Sequence, residues 1–281
     1  MFGFLKRRGT DPEASLRGVL GDLELPSFPG IVLKTLDAIR DPDASVASVA
    51  AVLRADPGMS VRLLRLANSA GRAGSRKVES VDRAIAVAGM AQVESLVLSI
   101  GVGSVLPSAP VDGFESRRFW AAAARRATVA RALAAELQPA AAAMSFTAGL
   151  LQDMAIPLLA TARTDYRPVL AAWHAGEGEL AEMERSEFGW DHSEVATWVC
   201  DSWALPEVLG EAIGGHHRSV EGLTAPAAVE LVATLTEAAD SGDLDRLVAL
   251  ASERYGMAAD RCVDLVEEAE AGAGELADLF G

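Results

Sequence analysis

Apolar residues along this chain recur at intervals of three and four, in short runs broken by Pro, Gly and Asp. Pro29-Gly30 precedes Ile31, Leu33, Leu36 and Ile39, a set that stops at Asp41-Pro42. Asp43 or Ser45 is placed to cap the next predicted helix, whose face is Val46, Val49, Val52 and Leu53. Asp56-Pro57 is a stronger start, because an N-cap Asp accepts free N–H groups and Pro at the first position lacks one it would not use. That helix is predicted to reach about Asn68, with Gly71 as its stop. Val61, Leu64 and Ala67 face inward, and Arg62, Arg65 and Arg72 fall at helical spacing on the other side. Ser80 caps Val81 to Ala88, Gly89 turns the chain, and Met90 to Val102 carries Val93, Leu96, Val97 and Ile100. Gly101-Val-Gly103 reads as a turn.

Two prolines and a glycine within Leu106 to Gly113 mark the best boundary. Beyond it the pattern predicts helices from Arg117 to Gln138, capped by Ser116, from about Ala140 to Met154, ending before Pro157, and from Tyr166 to Ala175. Asp191 with Glu194 starts another over Ser193 to Ser202, and Leu205-Pro206 starts one ending at His216-His217. Three further segments begin at Ala227, Leu244 and Ala258. Period-two runs rich in Val, Ile, Thr and aromatics are missing, so the fold class is all-α. The expected layout is a flexible tail over residues 1–20, an N-terminal helical part over 21–110 and a C-terminal helical part over 111–281.

Composition narrows the classes. The chain has 281 residues, half of them hydrophobic, which fills a sizeable core and excludes disorder as a whole-chain answer. Charged residues and prolines interrupt even the alanine-rich segments, so no uninterrupted apolar run of roughly 18 residues arises and a soluble protein is expected. Two cysteines, Cys200 and Cys262, are too few for a disulfide scaffold. The opening Met1 to Arg8 places its charge after a five-residue apolar run, the reverse of a secretory signal, so a cytoplasmic location is expected. Residues 1–110 carry 13 Lys and Arg against 11 Asp and Glu, whereas residues 111–281 carry 12 against 29. The net charge of −15 therefore sits in the C-terminal part, which repels phosphates and disfavours bulk nucleic-acid binding.

Seven phrases resemble, in order, the landmarks of HDOD domains. They are Leu25-Pro-Ser-Phe-Pro29, Leu63-Leu-Arg-Leu-Ala-Asn-Ser-Ala70, Ser80-Val-Asp-Arg-Ala-Ile-Ala-Val-Ala-Gly89 and Ala148-Gly-Leu-Leu-Gln-Asp153, followed by Asp191-His-Ser-Glu-Val195, Trp203-Ala-Leu-Pro206 and Ala212-Ile-Gly-Gly-His-His217. The resemblance covers roughly residues 20–220. It implies a bacterial all-helical module related to the HD metal-dependent phosphohydrolases, of a kind regarded as non-catalytic and regulatory.

An HD phosphohydrolase gathers imidazoles and carboxylates around one or two divalent metals that acidify a water and clamp the phosphate. Here Gln152-Asp153 stands where that resemblance calls for His-Asp, and the upstream helix offers Arg125 and Arg126 rather than a histidine. Asp153, His192, His216 and His217 nevertheless match ligand positions of the related HD-GYP phosphodiesterases. A later Asp of those enzymes is replaced near Thr234. The set is half a site: either a structural network or a weak holder of one divalent metal, with no other cofactor expected.

The first functional expectation is a regulatory module that binds signalling proteins, tuned by a small anionic or nucleotide ligand for which Arg62, Arg65, Arg72, Gln152, Arg125 and Arg126 are the candidates. The second is a divergent metal-dependent phosphodiesterase acting on a nucleotide. The third is a nucleic-acid-binding regulator using Arg62, Arg65, Arg72, Arg76 and Lys77, against which stands a simple solvated helix face.

Overall fold

The structure, a computed structural model, describes residues 11–21, 23–69, 78–107, 111, 113–217, 226–237 and 242–280. The N-terminal helices are α1 (Pro12–Leu20), α2 (Gly30–Arg40), α3 (Val46–Arg54), α4 (Pro57–Ser69), α5 (Val81–Ala88) and α6 (Met90–Val105). Then follow α7 (Ser116–Leu137), α8 (Ala142–Leu151), α9 (Ala155–Ala162), α10 (Arg167–His174), α11 (Leu180–Phe188), α12 (His192–Ser202) and α13 (Glu207–Gly214). The chain closes with α14 (Ala227–Val232), α15 (Asp243–Tyr255), α16 (Ala259–Glu270) and α17 (Ala273–Ala277). The fold is all-α. Among the described residues the sole β feature is an isolated bridge between Val111 and Phe114.

Several starts follow the capping chemistry expected of them. Ser45 accepts from the Ser48 backbone N–H in a reciprocal capping box, Ser80 accepts from that of Arg83, and Asp191 from that of Glu194. Other expectations need correction. Residues 12–20 are helix rather than tail: Asp11 caps α1, Pro12 opens it, and Leu16, Val19 and Leu20 are buried. Glu115, not Ser116, holds the N-cap position of α7. The segment expected to run to Met154 stops at Leu151, and Pro157 lies inside α9. It is the third residue of that helix, within the first turn, where a missing N–H breaks no intrahelical bond. Gly101 and Gly103 are inside α6, not in a turn; they leave room for packing, since a side chain at Gly103 would meet the Phe280 ring, which stacks on Trp120 at 4.8 Å. Helices α9, α11 and α17 were not predicted.

The main core joins α1 through α13 and takes in Leu276 of α17, so it runs across the Pro/Gly-rich stretch at 106–113 without a break. A second cluster packs Val129 and Leu133 of α7 against Leu231 and Val232 of α14, Leu247 of α15, and Cys262 and Val266 of α16. Helix α7 is the spine shared by both. Each buried Leu or Val contributes about 1.5–3 kcal/mol, which makes α7 a rigid support for the groups it carries. The run Pro139–Ala162 is long and apolar enough by composition to cross a membrane, but 83% of its most apolar window is buried inside the protein, as in a core helix.

Candidate functional site

Helices α7 and α8 cross closely because Gly149 has no side chain; a Cβ there would sit 3.0 Å from the Arg126 carbonyl oxygen. That crossing brings Arg126 beside the turn that follows α8, where Gln152 and Asp153 lie. Arg126 is 1% exposed, and its Nη2 is 2.8 Å from Asp153 Oδ2 while Nη1 donates to the Leu235 carbonyl at 3.2 Å. Burial alone raises the pKa of a carboxyl. At Asp153 the Arg126 guanidinium and a hydrogen bond from His192 outweigh it and hold the group well below its usual range.

His192 is the first residue of α12 and is oriented from α11. Glu184 Oε2 accepts from the His192 backbone N–H at 2.8 Å and lies 2.7 Å from Nδ1, and Glu184 Oε1 accepts from the buried Tyr166 hydroxyl. Asp191, fully buried, keeps this helix start in place by accepting from the Glu194 N–H at 3.0 Å and from Arg185 Nε at 2.7 Å. His216 and His217 follow α13, and His216 Nδ1 lies 2.5 Å from the Ile213 carbonyl. Both His192 and His216 thus direct Nδ1 at an acceptor and Nε2 toward Asp153, as metal-binding imidazoles do when an outer carboxylate or carbonyl fixes the tautomer.

Four donors meet there. Asp153 Oδ1 is 3.5 Å from His192 Nε2 and 3.3 Å from His216 Nε2, and His192 Nε2 is 3.0 Å from His217 Nε2. One ligand atom from each of the four residues lies within 4.8 Å of all the others. His216 Nε2 is buried, and apart from its contact with Asp153 it has no hydrogen-bond partner among the described residues. Three imidazoles and one carboxylate suit a single borderline divalent ion such as Zn²⁺, Fe²⁺ or Mn²⁺, which would act there as a Lewis acid. These residues fit one metal. With the metal absent, the same space suits a proton: burial opposes the charged imidazole, but Glu184 and Asp153 on either side raise His192 to about 10. Proton and metal are alternatives at one place, so binding a cation releases a proton.

Two cavities adjoin the cluster among the described residues. One, of about 30 Å³, is enclosed by Arg126, Gln152, Asp153, His192, His217, Trp173, Leu235 and neighbours. The other, of about 340 Å³, opens beside His216 and His217 and is walled by Glu179, Glu230, Thr234, Thr236, Arg246 and Arg254.

A profile of the HDOD domain matches residues 25–219. The chain belongs to the HDOD domain family. An uncharacterized protein of Treponema pallidum (strain Nichols) is 26% identical over 199 residues; the match takes in 69% of this chain and only 38% of the length of that curated relative. Among solved structures, an HDOD domain protein of unknown function from Geobacter sulfurreducens superimposes with a TM-score of 0.71 at 22% identity, covering 94% of this chain and 96% of that one. A Shewanella amazonensis protein provisionally described as a phosphohydrolase gives 0.77 at 22% identity, covering 95% and 98%. At that identity both establish the fold alone.

All four donors of this HDOD chain fall inside the matched region, whereas Glu230, Thr234, Arg246 and Arg254 of the larger cavity lie beyond it. Of the residues singled out in the sequence, Asp153, His192, His216 and His217 come together, Arg126 joins them, and Gln152 lines the smaller cavity. Arg125 does not: one step further round α7, its Nε is 2.5 Å from Glu270 of α16. Arg62 and Arg65 are exposed on α4 and line neither cavity, and Arg72, Arg76 and Lys77 lie outside the described residues. Thr234 lines the larger cavity. Sequence reasoning missed Glu184 and Tyr166, which orient His192, and Glu237, buried beside His174. A Glu eight positions before His192 on an unrecognised helix gave no usable signal.

Proposed function

We propose that this HDOD chain is a non-catalytic signalling module that acts by binding partner proteins, and that its HD-like cluster is kept as a site for one divalent cation. The observation that carries the non-catalytic reading is the smaller cavity. The space against Asp153 and His192 amounts to about 30 Å³, room for one or two waters, and Gln152 supplies a neutral amide where a second metal needs an imidazole. That space is smaller than a phosphodiester group, which argues against its reaching Asp153 from that side. Partner docking is supported by family membership and by apolar side chains left on the N-terminal helices, with Leu33, Val46, Val61 and Val87 at 36–65% exposure, although the sequence pattern places the first three on packing faces and Val61 inward. The intact outer ligands Glu184 and the Ile213 carbonyl support retention of the cation.

A second reading, a divergent phosphodiesterase, is favoured by the larger cavity, which opens on His216 and His217. The deciding experiment incubates the purified chain with Mn²⁺ or Zn²⁺ and chromogenic phosphomonoester and bis-phosphodiester substrates. The expected outcome is product release no faster than the metal blank. Release that disappears in both His216→Ala and His217→Ala would replace the non-catalytic reading with the hydrolase.

A further inference from the structure

The Asp153 carboxylate faces two ways. Oδ1 looks toward the three imidazoles, and Oδ2 meets Nη2 of Arg126. A carboxylate placed like this holds two positive groups, one on each oxygen, and here the second is part of the chain. The guanidinium is immobile. It is 1% exposed, it is tied to the Leu235 carbonyl through Nη1, and the close crossing at Gly149 sets its backbone. Its Nε has no hydrogen-bond partner among the described residues, and Asp153 is the one charged group there in direct contact with it.

We infer that Arg126 is a built-in cation on the second face of Asp153, which limits the cluster to one divalent ion and makes that ion bind more weakly than its four ligands would allow alone. This rests on the single-cation reading above. Two consequences follow from charge. Arg126 supplies Asp153 with a cationic partner on Oδ2 whether or not a metal is bound, so the fold does not depend on the metal. A bound divalent ion is repelled by a fixed positive charge that water cannot screen, and binding is correspondingly reversible.

The test is titration of the metal-stripped full chain with Mn²⁺, following free ion by electron paramagnetic resonance, in wild type, Arg126→Gln and Arg126→Lys. Gln keeps a donor for the Leu235 carbonyl and removes the charge; Lys keeps the charge. Wild type is expected to bind one equivalent, Arg126→Gln to bind about tenfold or more tightly, the scale of one poorly screened charge a few Å away, and Arg126→Lys to resemble wild type. If Arg126→Gln folds only with Mn²⁺ present, as read by circular dichroism, the counter-ion role is supported directly. Two equivalents in wild type, equal affinity in wild type and Arg126→Gln, or tightening in Arg126→Lys as well, would each overturn the inference and leave the single-cation reading standing or revised on its own count. No ion bound by wild type or Arg126→Gln overturns the reading itself; an ion bound by Arg126→Gln alone supports the inference in its strongest form.

Discussion

Two of the acids buried in the C-terminal half, Asp153 and Glu237, lie within the field of Arg126, and they are driven in opposite directions. Asp153, 8% exposed, has cationic partners on both oxygens and stays ionised. Glu237, 5% exposed, has one oxygen 3.3 Å from His174 Nε2 and the other without a partner among the described residues, and burial raises it to about 7 against the pull of Arg126. His174 gives little help, since burial and then Arg118 lower its own pKa, so the pair is a hydrogen bond between groups that both tend toward neutrality. The same cation decides one acid and fails to decide the other. Direct contact and fixed geometry make the difference, because the desolvation cost of a carboxylate is met only by donors aimed at its oxygens.

Removing the better-held acid gives the largest effect. Asp153→Ala leaves the Arg126 guanidinium buried with nothing to balance it, and the expected loss is about 3–5 kcal/mol, read by urea unfolding at pH 7 in the presence of a chelator. A loss below about 1 kcal/mol would mean that the two acids are not so different after all.

Glu237→Gln sharpens the contrast with the opposite sign. The folded pKa lies above the unfolded one, so the folded state holds the extra proton between about pH 4.5 and 7. Stability linked to this group is fully present below about pH 4.5 and is lost as pH rises through about 7. The ceiling on that loss is about 3 kcal/mol. The variant is expected to be more stable than wild type at pH 8 and to have a flatter stability profile from pH 5 to 8. Unfolding curves at four pH values suffice; parallel profiles for the two proteins would show that Glu237 does not titrate in this window.

Much of this contrast was hidden in the sequence for identifiable reasons. Helices whose caps are local, at Ser45, Ser80 and Asp191, were legible because the cap and its N–H partner are three residues apart. Helix α11 has no side-chain cap and few apolar residues, so its pattern was silent, and with it Glu184. The four metal-type donors were found from the family resemblance. The outer groups were not, since Tyr166, Glu184 and His192 meet only through tertiary packing. Arg125 and Arg126 are adjacent in sequence and equivalent in composition, yet α7 directs one to Glu270 and the other to Asp153. A rotation of about 100° per residue separates a surface ion pair from a buried one.

The smallest effect belongs to the arginines that sequence reading offered as an anion or nucleic-acid contact. Arg62 and Arg65 are exposed on α4, apart from Asp153 and Glu237, and their environment differs from that of Arg126 in the one respect that counts, access to water. Solvent screens their charge, so replacing both by Ala is expected to change stability by no more than about 0.5 kcal/mol. A nucleic-acid surface would add a second signature: binding of a short duplex that weakens linearly on a logarithmic salt scale, with a shallower slope in the double variant. The expected result is no measurable duplex binding at 50–150 mM salt in either protein, because the −15 net charge repels phosphates and two exposed arginines do not outweigh it. A steep salt dependence in wild type that flattens in the variant would turn the exposed pair into the functional arginines and leave Arg126 a structural one.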